Sequence, residues 1–284
     1  MRALNFLLSH SIFIACCAMG LCFQTNILLH IPHNKNLYGF IFFSTLCSYN
    51  FYWLLSNFYF SNRKFEVLFI KKQFTFFLIF IAAAIGICYF ALQLPLLLPY
   101  IALGLFFTLL YSLPLWPFSI TKQLQHAGFF KTILLSLTWA YITTFLPVLD
   151  VYALDFTLSI HIQLLFVTRF FFMLLLCIIF DSRDISIDKI NGLHSLATDV
   201  SKKKLLVILI SVYFLHMLCA LLFCFYYAHV SQAIAFIFGG IVFWILYAQS
   251  LKNKSYVFYY FLVDGLMLLS AGASYLGDLY FANG

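Results

Sequence analysis

The residues best able to do chemistry stand together in the stretch IIFDSRDISIDKINGLHSLATD, residues 178–199, where Asp181, Asp184 and Asp188 fall within eight positions. The whole chain of 284 residues has only nine Asp and Glu, so three in one short segment ask for a cause. If the apolar run through Phe180 continues as a helix, spacings of three and four residues put all three carboxylates on one face. They form a ladder about 10 Å long at about 1.5 Å per residue. Like charges at that spacing repel and weaken a bare helix, so something positive is expected among them. Mg2+ takes one or two carboxylates, keeps water, and completes its shell with phosphate oxygens; a diphosphate bridged by Mg2+ fits the ladder. The same residues also read as an acidic loop solvated by water, with Arg183 and Lys189 as local partners.

The elements that must hold this ladder follow from composition. Hydrophobic residues make up 64% of the chain and charged residues 9%, with a mean hydropathy of +1.01, whereas soluble domains run near 45–50% apolar and about 25% charged. The fold class is therefore all-α, a polytopic membrane bundle. A hydrocarbon core about 30 Å thick requires about 20 apolar residues per helix, which places spans near 3–23, 37–60, 74–93, 96–115, 131–149, 158–180, 204–227, 231–249 and 256–277, about nine helices. A transmembrane barrel would show alternating segments of about ten residues; uninterrupted runs such as LLLPYIALGLFFTLLYSLPL exclude it. No polar segment is long enough to fold separately, so residues 1–284 read as one transmembrane domain.

Basic residues orient the bundle, because short cytoplasmic loops retain Lys and Arg. Arg2, Arg63, Lys64, Lys71, Lys72, Lys122, Lys131, Arg183, Lys189, Lys202, Lys203, Lys204, Lys252 and Lys254 lie on one side, 14 of the 16. The N-terminus and the loops after helices two, four, six and eight are therefore expected in the cytoplasm and the C-terminus outside. The net charge of +7 reads as topology, not as nucleic-acid binding. We read MRALNFLLSHSIFIACCAMGLCFQ as a retained first helix, since its apolar stretch exceeds a signal-peptide core. The eight cysteines all fall in expected spans without a C-x-x-C pair, which points to apolar packing and not to zinc or a disulfide framework.

The segment DSRDISIDKINGLHSLAT resembles the second aspartate-rich motif of the UbiA superfamily of intramembrane prenyltransferases, approximately D-x-R-D-x-x-x-D-x-x-x-G-x-x-T-L. Asp181, Arg183, Asp184, Asp188, Gly192 and Leu196 match in place, and Ser195 stands where the family usually has Thr. LYSLPLWPF, Lys131 and LTWAYITTFLP are similar to the family's middle region, so the resemblance spans the chain. It departs at one place. The family's first motif, approximately N-D-x-x-D-x-x-x-D, belongs at the cytoplasmic end of helix two, yet no carboxylate precedes Glu66; SYNFYWLLSNFYFSNRK stands there, with Asn50, Asn57 and Ser61 as a polar stripe. An amide oxygen can coordinate Mg2+ or bond a phosphate-bound water, but it brings no charge.

The resemblance implies transfer of an isoprenyl group from an isoprenyl diphosphate to a lipophilic acceptor reached from the bilayer. Asp181, Asp184 and Asp188 would hold Mg2+. Arg183, Lys189 and Lys131 would bind the diphosphate ahead of Arg63 and Lys64, with Asn50 and Asn57 as remnants of the opposite wall. The alternative is a non-catalytic UbiA-like protein that binds a polyprenyl lipid or a membrane partner. Two charges fall inside spans, Arg169 and Asp264; such charges face the bundle interior or a wet cavity, and a pair between them or a place along a substrate chamber is expected. A transporter that uses those two as coupling charges is the third reading.

Overall fold

The computed structural model describes residues 2–61, 71–112, 128–153, 157–190, 194–228, 230–253 and 255–281. Its helices are α1 (Arg2–Ser9), α2 (Ile12–Leu28), α3 (Lys35–Ser61), α4 (Lys71–Leu92), α5 (Leu98–Ser112), α6 (Gly128–Ala140), α7 (Leu146–Tyr152), α8 (Ile160–Ile190), α9 (Leu196–Asp199), α10 (Lys202–Tyr227), α11 (Val230–Ser250) and α12 (Asp264–Phe281). A 3-10 turn at Pro95–Leu97 leads into α5, and wide π-turns at Tyr141–Phe145 and Phe258–Val263 join α6 to α7 and precede α12. No strand occurs among the described residues.

Each expected span has a helical segment in this order. Among the described residues six segments are long and apolar enough to cross a membrane, and α1 with α2, bent by 71°, makes a seventh if the pair is one span. The run Pro95–Tyr111 is shorter, so the expected count of about nine rests on length and composition for only six or seven. Large apolar side chains such as Ile85, Leu92, Phe214 and Phe225 point outward, while Gln24, Thr25, Asn50, Thr143, Arg169 and Asp264 are buried. That distribution suits a lipid solvent, in which polar groups must be satisfied inside the protein.

Helix α2 is the interior post, packed against α3, α12 and the first π-turn. Its contact with that turn has a local cause. Pro147 lacks the N–H that would bond the carbonyl of Thr143 in an α-helix or of Ile142 in a π-helix. Both carbonyls are instead served by α2: Thr25 Oγ1 donates to Thr143 O at 2.7 Å and Cys22 Sγ to Ile142 O at 3.9 Å. A helix break that would expose bare backbone is thereby tied to the post.

Helices α3 and α4 meet through a reciprocal pair of glycines. A methyl at Gly39 would lie 2.5 Å from the Phe90 ring, and one at Gly86 would lie 2.5 Å from Phe43. The two rings themselves stack at 5.8 Å. Each ring thus occupies the space that the facing glycine leaves, and this fixes the rotation of α3. Gly86→Ala should destabilise the protein by about 1–3 kcal/mol through overpacking, whereas Gly239→Ala, where a methyl meets nothing within 4 Å, should be close to neutral. Unfolding of the purified variants in mixed detergent micelles checks the contrast.

Candidate functional site

Helix α8 runs unbroken from Ile160 to Ile190, ten residues past the apolar run, so the expected ladder exists as a continuous helical face. Its first carboxylate is anchored from α6: Thr132 Oγ1 donates to Asp181 Oδ2 at 2.7 Å. Its second is paired within α8. Arg183 Nε and Nη2 donate to Asp184 Oδ1 and Oδ2, each at 2.7 Å, a two-pronged ion pair. The positive group expected among the carboxylates is therefore in part the chain's own guanidinium. Asp188 lies one helical turn further along α8 with Lys189 beside it; both side chains fall outside the described residues.

Arg183 is itself caged. Its guanidinium carbon lies 5.0, 4.9 and 5.0 Å from the ring centroids of Phe180, Tyr259 and Tyr260, and Nη2 also donates to the Tyr260 hydroxyl at 3.3 Å. Ring faces attract the cation, and the second π-turn, Phe258–Val263, supplies two of the three rings. Tyr259 is held in turn by donating its hydroxyl to Ser250 O at 3.1 Å. With Nε and Nη2 engaged, the Nη1 edge has no hydrogen-bond partner among the described contacts.

Behind the ladder the helices converge on an aromatic interior. Lys131, half-buried on α6, sits 5.8 Å from the Tyr111 ring. Tyr111 is within electrostatic reach of Tyr49, Tyr52, Cys177 and Asp181, and Tyr49 within reach of Asp264, Cys177 and Tyr260. Tyr49 packs edge-on to Trp139 at 6.4 Å, and Tyr52 stacks on Tyr111 at 5.8 Å. Tyr49 and Tyr52 of α3 and Asp181 of α8 thus have Tyr111 as a common neighbour. Asn50 is turned elsewhere: its Nδ2 donates to His10 O at 3.1 Å and to Leu46 O at 2.7 Å, while its buried Oδ1 has no hydrogen-bond partner. It serves the carbonyl freed where α1 breaks into α2. Asn57 lies in the last turns of α3 with its side chain outside the described residues, as do Arg63 and Lys64.

The two intramembrane charges do not pair. Arg169 reaches α2, with Nη2 3.3 Å from Leu21 O and 3.4 Å from Thr25 Oγ1. Asp264 lies instead within electrostatic reach of Arg183. Ion pairs among the described residues include Arg183–Asp184 and His194–Asp199.

No family model matches the sequence, and no curated protein matches it. Solved structures do match. The apo structure of a UbiA homolog from Aeropyrum pernix K1 superposes with a TM-score of 0.68 at 12% identity, covering 94% of this chain and 98% of that one. A digeranylgeranylglyceryl phosphate synthase superposes with a TM-score of 0.60 at 14% identity, covering 98% of both. The chain has the UbiA fold.

Within this UbiA-like bundle the second half of the motif is structural. Ser195 N donates to Thr198 Oγ1 at 2.8 Å, opening α9, and Leu196 and Ala197 are buried in the main core. Thr132, Tyr259, Tyr260, Tyr49 and Tyr111 carried no signal in the sequence. Each reaches the site across helices, and the chain's abundance of aromatics hides any single ring.

Lysine keeps a charge at position 183 but loses the planar fork and the stacking surface. Arg183→Lys should therefore cost about 1–3 kcal/mol, the scale of a charge-assisted hydrogen bond, read as a lower unfolding temperature in detergent.

Proposed function

We propose that this protein is an intramembrane prenyltransferase that takes an isoprenyl group from an isoprenyl diphosphate and passes it to a lipophilic acceptor. The observation that carries the reading is the continuous α8, on which Thr132 of α6 bonds Asp181 and Arg183 grips Asp184. The likeness to UbiA-fold structures supports it.

Among the described residues no three acidic, histidine or cysteine side chains form a ready metal cluster. The donor chemistry nevertheless fits Mg2+, which needs only one or two carboxylates when phosphate oxygens complete its shell. Asp181, Asp184 and Asp188 would hold it, and when bound it neutralises charge on the departing diphosphate. Thr132 holds Asp181 in place. Asp184, oriented by Arg183, keeps that guanidinium's Nη1 edge turned to other acceptors, and this edge with Lys131 and Lys189 would bind the diphosphate oxygens. Asn57 would be a weaker partner from the opposite wall, whereas Asn50, expected beside it, is turned to the His10 carbonyl. Tyr49 and Tyr111 would exclude water and present ring faces to the allylic fragment as positive charge develops on it.

The basic loops support an orientation with the ladder in the cytoplasm and the C-terminus outside. A second reading is favoured by one observation: where two acidic walls would be expected, α3 carries no carboxylate and sets Tyr49 and Tyr52 beside Tyr111. A protein that binds a polyprenyl lipid without turnover fits that neutral wall.

Purified protein should release diphosphate from geranyl, farnesyl or geranylgeranyl diphosphate in a Mg2+-dependent manner when membrane-extracted acceptors are supplied. The double variant Asp184→Asn, Asp188→Asn should lower the rate about a hundredfold or more, the scale of losing transition-state charge stabilisation. Binding without release across the acceptors would favour the second reading, and unchanged turnover in the double variant would remove these residues from the chemistry.

A further inference from the structure

Lys202, Lys203 and Lys204 open α10, and Lys252 follows the end of α11; all four side chains are exposed. None of the four ammonium groups has an ion pair or a hydrogen bond among the described residues. Asp199, three residues before Lys202, is already bonded to His194 Nδ1 at 2.7 Å. Four positive charges therefore stand at one end of two helices with no counter-charge from the chain.

The packing of the two helices brings those charges together. Gly240 lies against Met217 and Tyr213, and Tyr213 meets Phe243 and Trp244. As the α10 number falls the α11 number rises, so the helices run antiparallel, and the same register carried to their ends sets Lys203 and Lys204 level with Lys252. Below each lysine runs an apolar row. On α10, Val207, Ile210 and Phe214 follow Lys203 at steps of four, three and four, which is one helical face, and they are 63%, 49% and 64% exposed. On α11, Ala248, Ile245 and Ile241 precede Lys252 at the same steps, all exposed. From Lys203 to Phe214 is about 16 Å along the axis, close to one leaflet's half of a hydrocarbon core about 30 Å thick. Each row thus has the dimensions of a lipid in one leaflet, with a cation at headgroup level and aliphatic side chains at the depth of the acyl chains.

We infer that the outer face of α10 and α11 is a binding surface for an anionic phospholipid of the bilayer, its phosphate held by Lys203, Lys204 and Lys252 and its acyl chains lying along the two apolar rows. Lysine stems reach along apolar surface while the ammonium stays at the headgroups, and basic residues next to a membrane helix attract anionic lipid by about fivefold in affinity each. A zwitterionic lipid carries its own cation and leaves the four charges unanswered. A soluble phosphate has no use for the rows beneath them. The inference stands apart from the prenyltransferase reading: absence of diphosphate release leaves it intact, and absence of lipid selectivity leaves that reading intact.

The test measures binding of tritiated dioleoylphosphatidylglycerol to the purified full chain in neutral detergent, with unlabelled dioleoylphosphatidylglycerol, dioleoylphosphatidylcholine and free glycerophosphoglycerol as competitors. The wild type should bind the label saturably, and the choline lipid should compete at least about tenfold more weakly than the glycerol lipid, the scale of two of these lysines or fewer. Raising the salt from about 0.1 M to about 1 M, which shortens the screening length from about 10 Å to about 3 Å, should weaken binding severalfold. Replacing Lys202, Lys203, Lys204 and Lys252 together by Gln should lower affinity about tenfold or more, and replacing the same four by Arg should preserve it. Equal competition by the choline lipid, or unchanged affinity in a folded Gln variant, overturns the inference. Displacement of the label by glycerophosphoglycerol, the headgroup without its chains, also overturns it and makes the lysines a site for soluble phosphate. Because the competitor and salt arms use only the wild type, they decide the question even where the Gln variant fails to fold.

Discussion

A bilayer offers no water to a polar group inside it, and this bundle answers most of the buried backbone breaks and charges with another part of the protein. A buried unsatisfied donor or acceptor costs about 1–3 kcal/mol, a scale comparable to a large share of a domain's net stability. One stripe of α2 meets much of that need. Cys17 donates to the carbonyl of Asp264, Cys22 and Thr25 serve the carbonyls that Pro147 cannot, and Leu21 and Thr25 accept from Arg169. The same helix donates from Gln24 to Ser270 and Ser274 of α12. Breaks and charges that would each be destabilising alone are concentrated on one post.

The end of α8 that carries the aspartates obeys the same rule with charges instead of backbone. Three carboxylates on one helical face would repel, and Arg183 removes part of that cost at Asp184 while three rings hold the guanidinium. Thr132 does the lesser task for Asp181. These carboxylates are thereby held in place by the chain itself. Electrostatic stabilisation is most effective when the groups providing it need no rearrangement.

The long α8 was legible in sequence as one of two readings, since spacings of three and four residues among Asp181, Asp184 and Asp188 are those of one helical face. The rotation of α3 was not. Asn50 and Asn57 looked like a stripe facing the aspartates, but the interlocking of Gly39 with Phe90 and of Gly86 with Phe43 sets which face of α3 turns inward. Asn50 goes to the carbonyl of His10 and Tyr49 to the interior. Arg169 and Asp264, the two natural candidates for a pair, were drawn to different partners by packing, one to α2 and the other toward Arg183.

By itself the sequence determined the solvent and the local geometry. Its hydropathy demanded helices in lipid and its scarce acids marked one helix end, because each of these depends on residues near one another in the chain. Only the tertiary structure decided which side chains meet. Thr132 with Asp181, Arg183 with the rings of the second π-turn, and Arg169 with α2 join residues tens to more than a hundred positions apart. With aromatic and aliphatic residues on every face, no periodic pattern distinguishes inward from lipid-facing positions. Close packing, glycine by ring and carbonyl by hydroxyl, makes that choice.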